Sequence, residues 1–164
     1  MLSKPLHDAL NEQINHELSS AYLYLSMAAH CDAENLPGFA HWLRVQYREE
    51  TEHGMKFYRY IYDRGNAVTL KAIAQPPTKF KSPLELFKQV LEHEKKVTGL
   101  INDLYALATK EKDYATQTML QWFITEQVEE EKNATAIIEM LKMVGDSPVS
   151  LMMADRQLAA RAGS

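Results

Sequence analysis

Cysteine is nearly absent: Cys31 is the one thiol among 164 residues. That excludes an intrachain disulfide and a cysteine-built zinc site, and a free thiol fits a reducing cytosol. Glycine and proline are scarce as well, 6 of each, too few breakers for an all-β fold with its many turns. No block of Lys and Arg occurs. Basic residues number 18 against 22 acids, a formal charge of −4, which leaves no electrostatic footprint for nucleic acid. Long apolar runs are missing too. The longest stretch free of Asp, Glu, Lys and Arg, Leu18 to Cys31, is too short and too polar to span a bilayer. The opening residues, Met1 to Asp8, lack the apolar run of a signal peptide. A cytoplasmic protein with no membrane partner is expected.

What the chain does have is apolar residues, 46% of the total, enough for one sizeable core in a single domain, 1–164. Helical periodicity dominates, and strand-like alternation is nowhere sustained. The spacing predicts a first helix from about Pro5 to Asp32, broken by Asn35-Leu36-Pro37-Gly38. A second runs from about Gly38 to Arg64 and stops at Gly65-Asn66. Gly65 to Lys81, with Pro76-Pro77, then forms a connection long enough to cross the length of a bundle. A crossover of that kind makes the second and third helices parallel. Ser82-Pro83-Leu84-Glu85 is a capping-box start for the third helix, which runs to about Lys110. Glu111-Lys112-Asp113 links it to a fourth ending near Val144 and Gly145. Ser147-Pro148 can open a short fifth helix to about Ala160. The fold expected is all-α: a four-helix bundle with a long crossover between helices two and three and a short fifth C-terminal helix.

Each long helix carries a stripe at three-to-four spacing that should face the core. In the first it is Leu10, Ile14, Glu17, Ala21, Tyr24 and Ala28, and in the second Phe39, Leu43, Gln46, Glu50, His53, Phe57 and Tyr60. The third gives Phe87, Leu91, Glu94, Val97, Ile101 and Leu104. The fourth gives Leu120, Phe123, Gln127, Glu130, Ala134, Ile137 and Leu141. Every stripe holds an ionisable residue well inside its helix. Burying an unpaired carboxylate costs several kcal/mol even after relaxation, and neighbouring ones repel. The stripes contain no Lys or Arg, so a metal ion is the natural counter-charge.

One such acid is commonly a surface residue slightly rotated. The shared spacing argues otherwise for the set. Glu50 follows Glu17 by 33 residues with His53 three further on, and Gln127 follows Glu94 by 33 with Glu130 three further on. Two copies of one helix-pair unit, folded together, bring these groups to a common depth. The pattern is close to the di-metal carboxylate arrangement, a Glu from each of two helices and a Glu-x-x-His motif from the others.

Those residues resemble the ferritin family, specifically the non-haem bacterial ferritins, over nearly the whole chain. The segments that carry the resemblance are Asn15 to Tyr24, Arg48-Glu49-Glu50-Thr51-Glu52-His53, Glu92-His93-Glu94 and Phe123 to Glu131. The resemblance implies an iron-storage protein that oxidises Fe(II) with dioxygen or peroxide and lays down Fe(III) as mineral inside a homo-oligomeric 24-subunit cage. It implies that Glu17, Glu50 and His53 hold one iron. Glu50 as bridge, Glu94 and Glu130 hold the second, with Gln127 close by. A third site maps to Glu49, Glu126, Glu129 and Glu130. Haem-binding relatives carry a second Glu-x-x-His on the fourth helix and a Met just before the second-helix His. Here those places hold Gln127-x-x-Glu130 and Glu52, so no haem is expected. Animal ferritins carry threefold-channel acids where this chain has Gln117 and Leu120, which leaves the route of iron into the cage open.

Oxygen ligands with one imidazole suit iron or manganese. Tyr24 is read either as a hydrogen-bond partner or electron donor to the site, or as a packed core tyrosine. Trp122 is expected to pack, and His16, His30, His41 and His93 to lie at the surface. The competing readings are another di-iron or di-manganese bundle enzyme, an oxygenase or peroxidase, a metal-free structural bundle, and a haem-bearing storage cage.

Overall fold

Side chains near the predicted breaks set the helix starts. Ser3, Ser82, Asp113 and Ser147 each accept a hydrogen bond from a backbone N–H three residues on, satisfying donors that a helix N-terminus leaves free. The computed structural model describes residues 1–163 and contains, in order, α1 (Lys4–Ala33), α2 (Pro37–Asp63), α3 (Pro83–Lys110), α4 (Tyr114–Val144) and α5 (Pro148–Ala159). No strand occurs among the described residues. The predicted bounds hold to within about a residue, the usual uncertainty of helix ends. Asp113 is the cap of α4 rather than part of a passive link. Gly65 and Gly145 stop their helices with positive φ, 74° and 55°.

The second helix lacks a cap of its own. Leu36 stands at its N-cap without a side-chain hydrogen bond. Asp155 on α5 serves instead, its Oδ1 accepting from the Gly38 N–H at 2.9 Å and the Phe39 N–H at 3.0 Å. The two helices touch so closely there that a Cβ on Gly38 would lie 1.7 Å from the Asp155 carbonyl oxygen.

The crossover is an ordered strap laid along α1 from its start to its end. His7 meets the Ala67 carbonyl at 2.7 Å, Asn11 exchanges hydrogen bonds with the Thr69 backbone, and Lys71 pairs with Glu12. Farther along, Ser26 donates to the Pro77 carbonyl and Phe80 meets the His30 ring. Because the strap climbs the full bundle, α3 starts at the end where α2 started, and the two run parallel.

The stripes read from the sequence are buried, apart from half-buried Tyr60 and Leu91. The core they form is in two parts. Tyr24, Phe39, Leu43 and Phe87 belong to the apolar cluster beside α5, and Leu10, Ile14, Phe57 and Ile101 to the one at the opposite end. Buried Glu17, Gln46, Glu50, His53, Glu94, Gln127 and Glu130 come from the mid-helix positions between them.

Candidate metal centre

Mid-helix positions supply the interior polar groups. From α1 come Gln13, Glu17 and Tyr24, from α2 Gln46, Glu50 and His53, from α3 Glu94, and from α4 Gln127 and Glu130. All are buried. Glu17, Glu50 and His53 offer ligand atoms that all lie within 4.8 Å of one another. His53 Nδ1 is 3.6 Å from Glu50 Oε1 and 3.9 Å from Glu17 Oε2. The imidazole makes T-shaped contacts with two aromatic rings, its centroid 5.3 Å from that of Trp122 and 5.9 Å from that of Phe123.

The other two carboxylates turn to uncharged donors. Tyr24 donates its hydroxyl to Glu94 Oε1, and Gln127 Nε2 donates to Glu94 Oε2 at 3.1 Å. Gln46 Nε2 donates to Glu130 Oε2 at 2.8 Å and to Glu50 Oε1 at 3.4 Å, so one amide bridges the second and fourth helices. Gln13 donates to Glu17 Oε1 at 2.8 Å. Glu17 Oε2 is fully buried with no hydrogen-bond partner. Among the described residues no Lys or Arg forms an ion pair with Glu17, Glu50, Glu94 or Glu130.

The electrostatics follow. Burial first, then the neighbouring Glu50 charge, pushes the Glu17 carboxyl well above the usual carboxylate range. Burial and the Glu94 charge do the same to Glu50. Glu130 is pushed up to about 8 by burial and then by Glu94. Burial also raises Glu94, opposed by the hydrogen bonds from Tyr24 and Gln127. Buried Tyr24 is raised well above its ordinary value and stays a proton donor to Glu94. A divalent cation among these groups would replace the protons, give the orphan Glu17 oxygen a partner and cancel the repulsion. The donor set of hard oxygens with one imidazole fits iron.

Outside this layer a cavity of about 310 Å³ opens beside α2 and α4, lined in part by the acids Glu49, Glu52 and Glu126, the bases Arg48 and Lys56, and His53, Trp122 and Gly163. Glu49 and Glu126 are half-buried in its wall. Glu129 is exposed and does not line it. Trp122 lies at the rim, 40% exposed, with Lys56 Nζ 3.2 Å from its ring centroid.

Sequence reasoning missed Gln13 as a donor to the cluster and gave Gln46 only a place in a stripe. A neutral amide in an apolar stripe raises no electrostatic conflict to notice. Its value as a donor depends on which helix faces it. His93 departs from its expected surface position: its Nε2 lies 2.7 Å from Ser20 Oγ and its ring stands edge-on to Tyr24. Burial pushes it down to about 4, so it is neutral at physiological pH.

Comparison with known proteins agrees with this architecture. The Ferritin family model, a ferritin-like domain, matches residues 7–144. A bacterial non-heme ferritin of Staphylococcus haemolyticus is 47% identical over 161 residues, 98% of this chain and 97% of that one. One from Staphylococcus aureus is 44% identical over 98% of this chain and 97% of its own. Among solved structures, an open pore ferritin from the hyperthermophilic archaeon Archaeoglobus fulgidus superposes with a TM-score of 0.98 at 45% identity, covering 99% of this chain and 100% of that chain. A family match across most of the chain, joined to near-complete relatives well above the level where likeness shows fold alone, means that the chain belongs to the ferritin family.

Proposed function

We propose that this ferritin stores iron by oxidising Fe(II) at the mid-bundle carboxylate cluster and passing Fe(III) to a mineral within a homo-oligomeric cage of 24 subunits, each chain acting as one domain. The observation that carries the reading is the Glu17–Glu50–His53 cluster, with its unpartnered buried oxygen on Glu17. Iron is the substrate. Two Fe(II) give up one electron each. Dioxygen takes both with two protons and leaves as hydrogen peroxide, and peroxide takes a further pair from two more Fe(II), with two more protons, to give two waters.

The chain's own groups divide the work. Glu17, Glu50 and His53 hold the first ion, and Glu50, Glu94 and Glu130 the second, with Glu50 shared. Gln127 and Tyr24 orient Glu94. Gln46 and Gln13 orient Glu130 and Glu17. Carboxylates favour the higher charge of Fe(III), which makes Fe(II) easier to oxidise. A scarcity of nitrogen ligands lets the product leave. Glu49 of α2 and Glu126 of α4 in the adjoining cavity, with Glu130 one turn beyond Glu126, form the third site, and Glu129, exposed and outside the cavity lining, is left out of it. No haem takes part. Assembly is supported by apolar side chains that a single subunit leaves in water, Tyr114, Met143, Val149 and Met153 among them. No helix among the described residues is long and apolar enough to cross a membrane, in keeping with work in the cytoplasm.

Anaerobic Fe(II) loading followed by air tests the reading. Amber ferric absorbance should develop quickly in the native protein, and Glu50→Ala or His53→Ala should slow its initial rate at least about tenfold. An unchanged rate in both variants would overturn the assignment. Conversion of an organic substrate without ferric accumulation would favour the oxygenase or peroxidase alternative.

A further inference from the structure

The C-terminal segment after α5 does not trail away. It lies along α2, on the face that leads from Gly38 to the carboxylate cluster. His41 Nε2 meets the Arg161 carbonyl at 2.8 Å, and Gly163 presses so close to Val45 that a Cβ there would sit 2.6 Å from Val45 Cγ1. Between these anchors the Arg161 side chain is held on several sides. Its guanidinium lies 4.2 Å over the Trp42 ring, Nη1 donates to the Trp42 carbonyl at 3.2 Å and to Gln46 Oε1 at 3.1 Å, and Nη2 donates to Glu49 Oε2 at 2.7 Å.

Two consequences follow from guanidinium chemistry. Arg has donors only, so the end of the Gln46 amide that faces it must be the oxygen. The NH₂ end is thereby aimed at Glu130 and Glu50, where it is found. Arg161 also places a fixed positive charge on Glu49, at the wall of the outer cavity. A cation arriving at Glu49 meets a charge already there.

We propose that Arg161 is a positioning residue for the outer cavity, holding Glu49 and fixing the Gln46 amide, and that a divalent cation binding at Glu49 competes with it and loosens the C-terminal segment. The inference rests on the reading of Glu49 as a ligand of the third site. It makes the tail a resident counter-cation that lowers the affinity of that site while leaving the inner pair to fill first.

The test uses the assembled protein and Zn(II), which binds without redox chemistry. Calorimetric titration of the native protein should show a tight class from the inner cluster and a weaker class, and E49Q should remove the weaker one. R161A should tighten that weaker class about two- to fivefold, the scale of a partly exposed ion pair. R161K, which keeps the charge without the fork, should return part of the way. Hydrogen–deuterium exchange on the native protein is the second measurement and needs no variant: residues 155–163 should exchange faster once Zn(II) saturates the weaker class. If E49Q leaves every binding class intact, the third-site reading fails and this inference fails with it. If E49Q removes the weak class but R161A leaves its affinity unchanged or weakens it, the site stands and the competition is refuted. Tail exchange that is indifferent to Zn(II) likewise refutes it.

Discussion

Glu50 sits where charge is hardest to keep. It is 1% exposed, its best uncharged partner is the Gln46 amide at 3.4 Å, and it lies between Glu17 and the carboxylates of α3 and α4. Neutral Gln of the same shape would relieve repulsion but cannot hold a cation as well. Glu50→Gln should therefore separate stability from activity. At pH 8 the metal-free variant should unfold at higher denaturant than the native protein, a gain of about 1 kcal/mol, while its Fe(II) oxidation falls at least about tenfold. Parallel denaturation and oxidation measurements check both signs, and a variant that loses stability and keeps activity would contradict the argument. The same conflict made this residue legible in the sequence, because an acid in an apolar stripe demands explanation. Arg161 carried no such signal. Its partners on α2 lie more than a hundred residues earlier, and no local spacing connects a C-terminal arginine to them.

Elements were legible for a related reason: four long amphipathic periods and their serine, proline and glycine boundaries are local facts. The crossover was legible as a length but not as a strap, since Asn11 with Thr69 and Ser26 with Pro77 are pairings that depend on where the chain returns. The docking of α5 was equally hidden. Leu36 offers no cap to α2, and only the folded chain brings Asp155 to the free N–H groups of Gly38 and Phe39. Charge-assisted bonds to buried amides are worth about 1.5–3 kcal/mol together with what unsatisfied donors cost. Asp155→Ala should accordingly release α5 before the bundle melts. Gly38→Ala should do so as well, because its Cβ meets the Asp155 backbone rather than a side chain that can move. Limited proteolysis should cut both variants between α4 and α5 at protease levels that leave the native chain whole. Fluorescence-monitored unfolding should keep a main transition for the four long helices. A single unaltered transition with uncut α5 would show that the apolar contacts of Ala154 and Leu158 suffice to hold it.

Across the whole molecule, the polar layer opposes the two apolar halves it lies between, and pH sets how strongly. A carboxyl whose folded pKa lies above its unfolded value binds more protons when folded. Its favourable contribution is full below the ordinary value and disappears as pH rises through the folded one. Glu130, raised from 4.5 to about 8, places that window between those two values, and Glu17 and Glu50 shift in the same direction. Asp113 works the other way. Its pairing with Arg64 lowers it from 3.8 to about 2, so its contribution is present above 3.8 and lost as pH falls through 2. The metal-free protein should thus be most stable near the bottom of the first window. Its thermal midpoint should drop by at least about 5 °C between pH 5 and pH 8 as the buried acids ionise without counter-charge. Saturating Zn(II) should flatten that slope, because a bound cation takes over what the protons did, and its binding at pH 6 should release protons measurable as a buffer-dependent enthalpy. A metal-free midpoint that rises steadily from pH 5 to 8 would mean that the interior carboxylates are already compensated, and the case for a cation among them would fall.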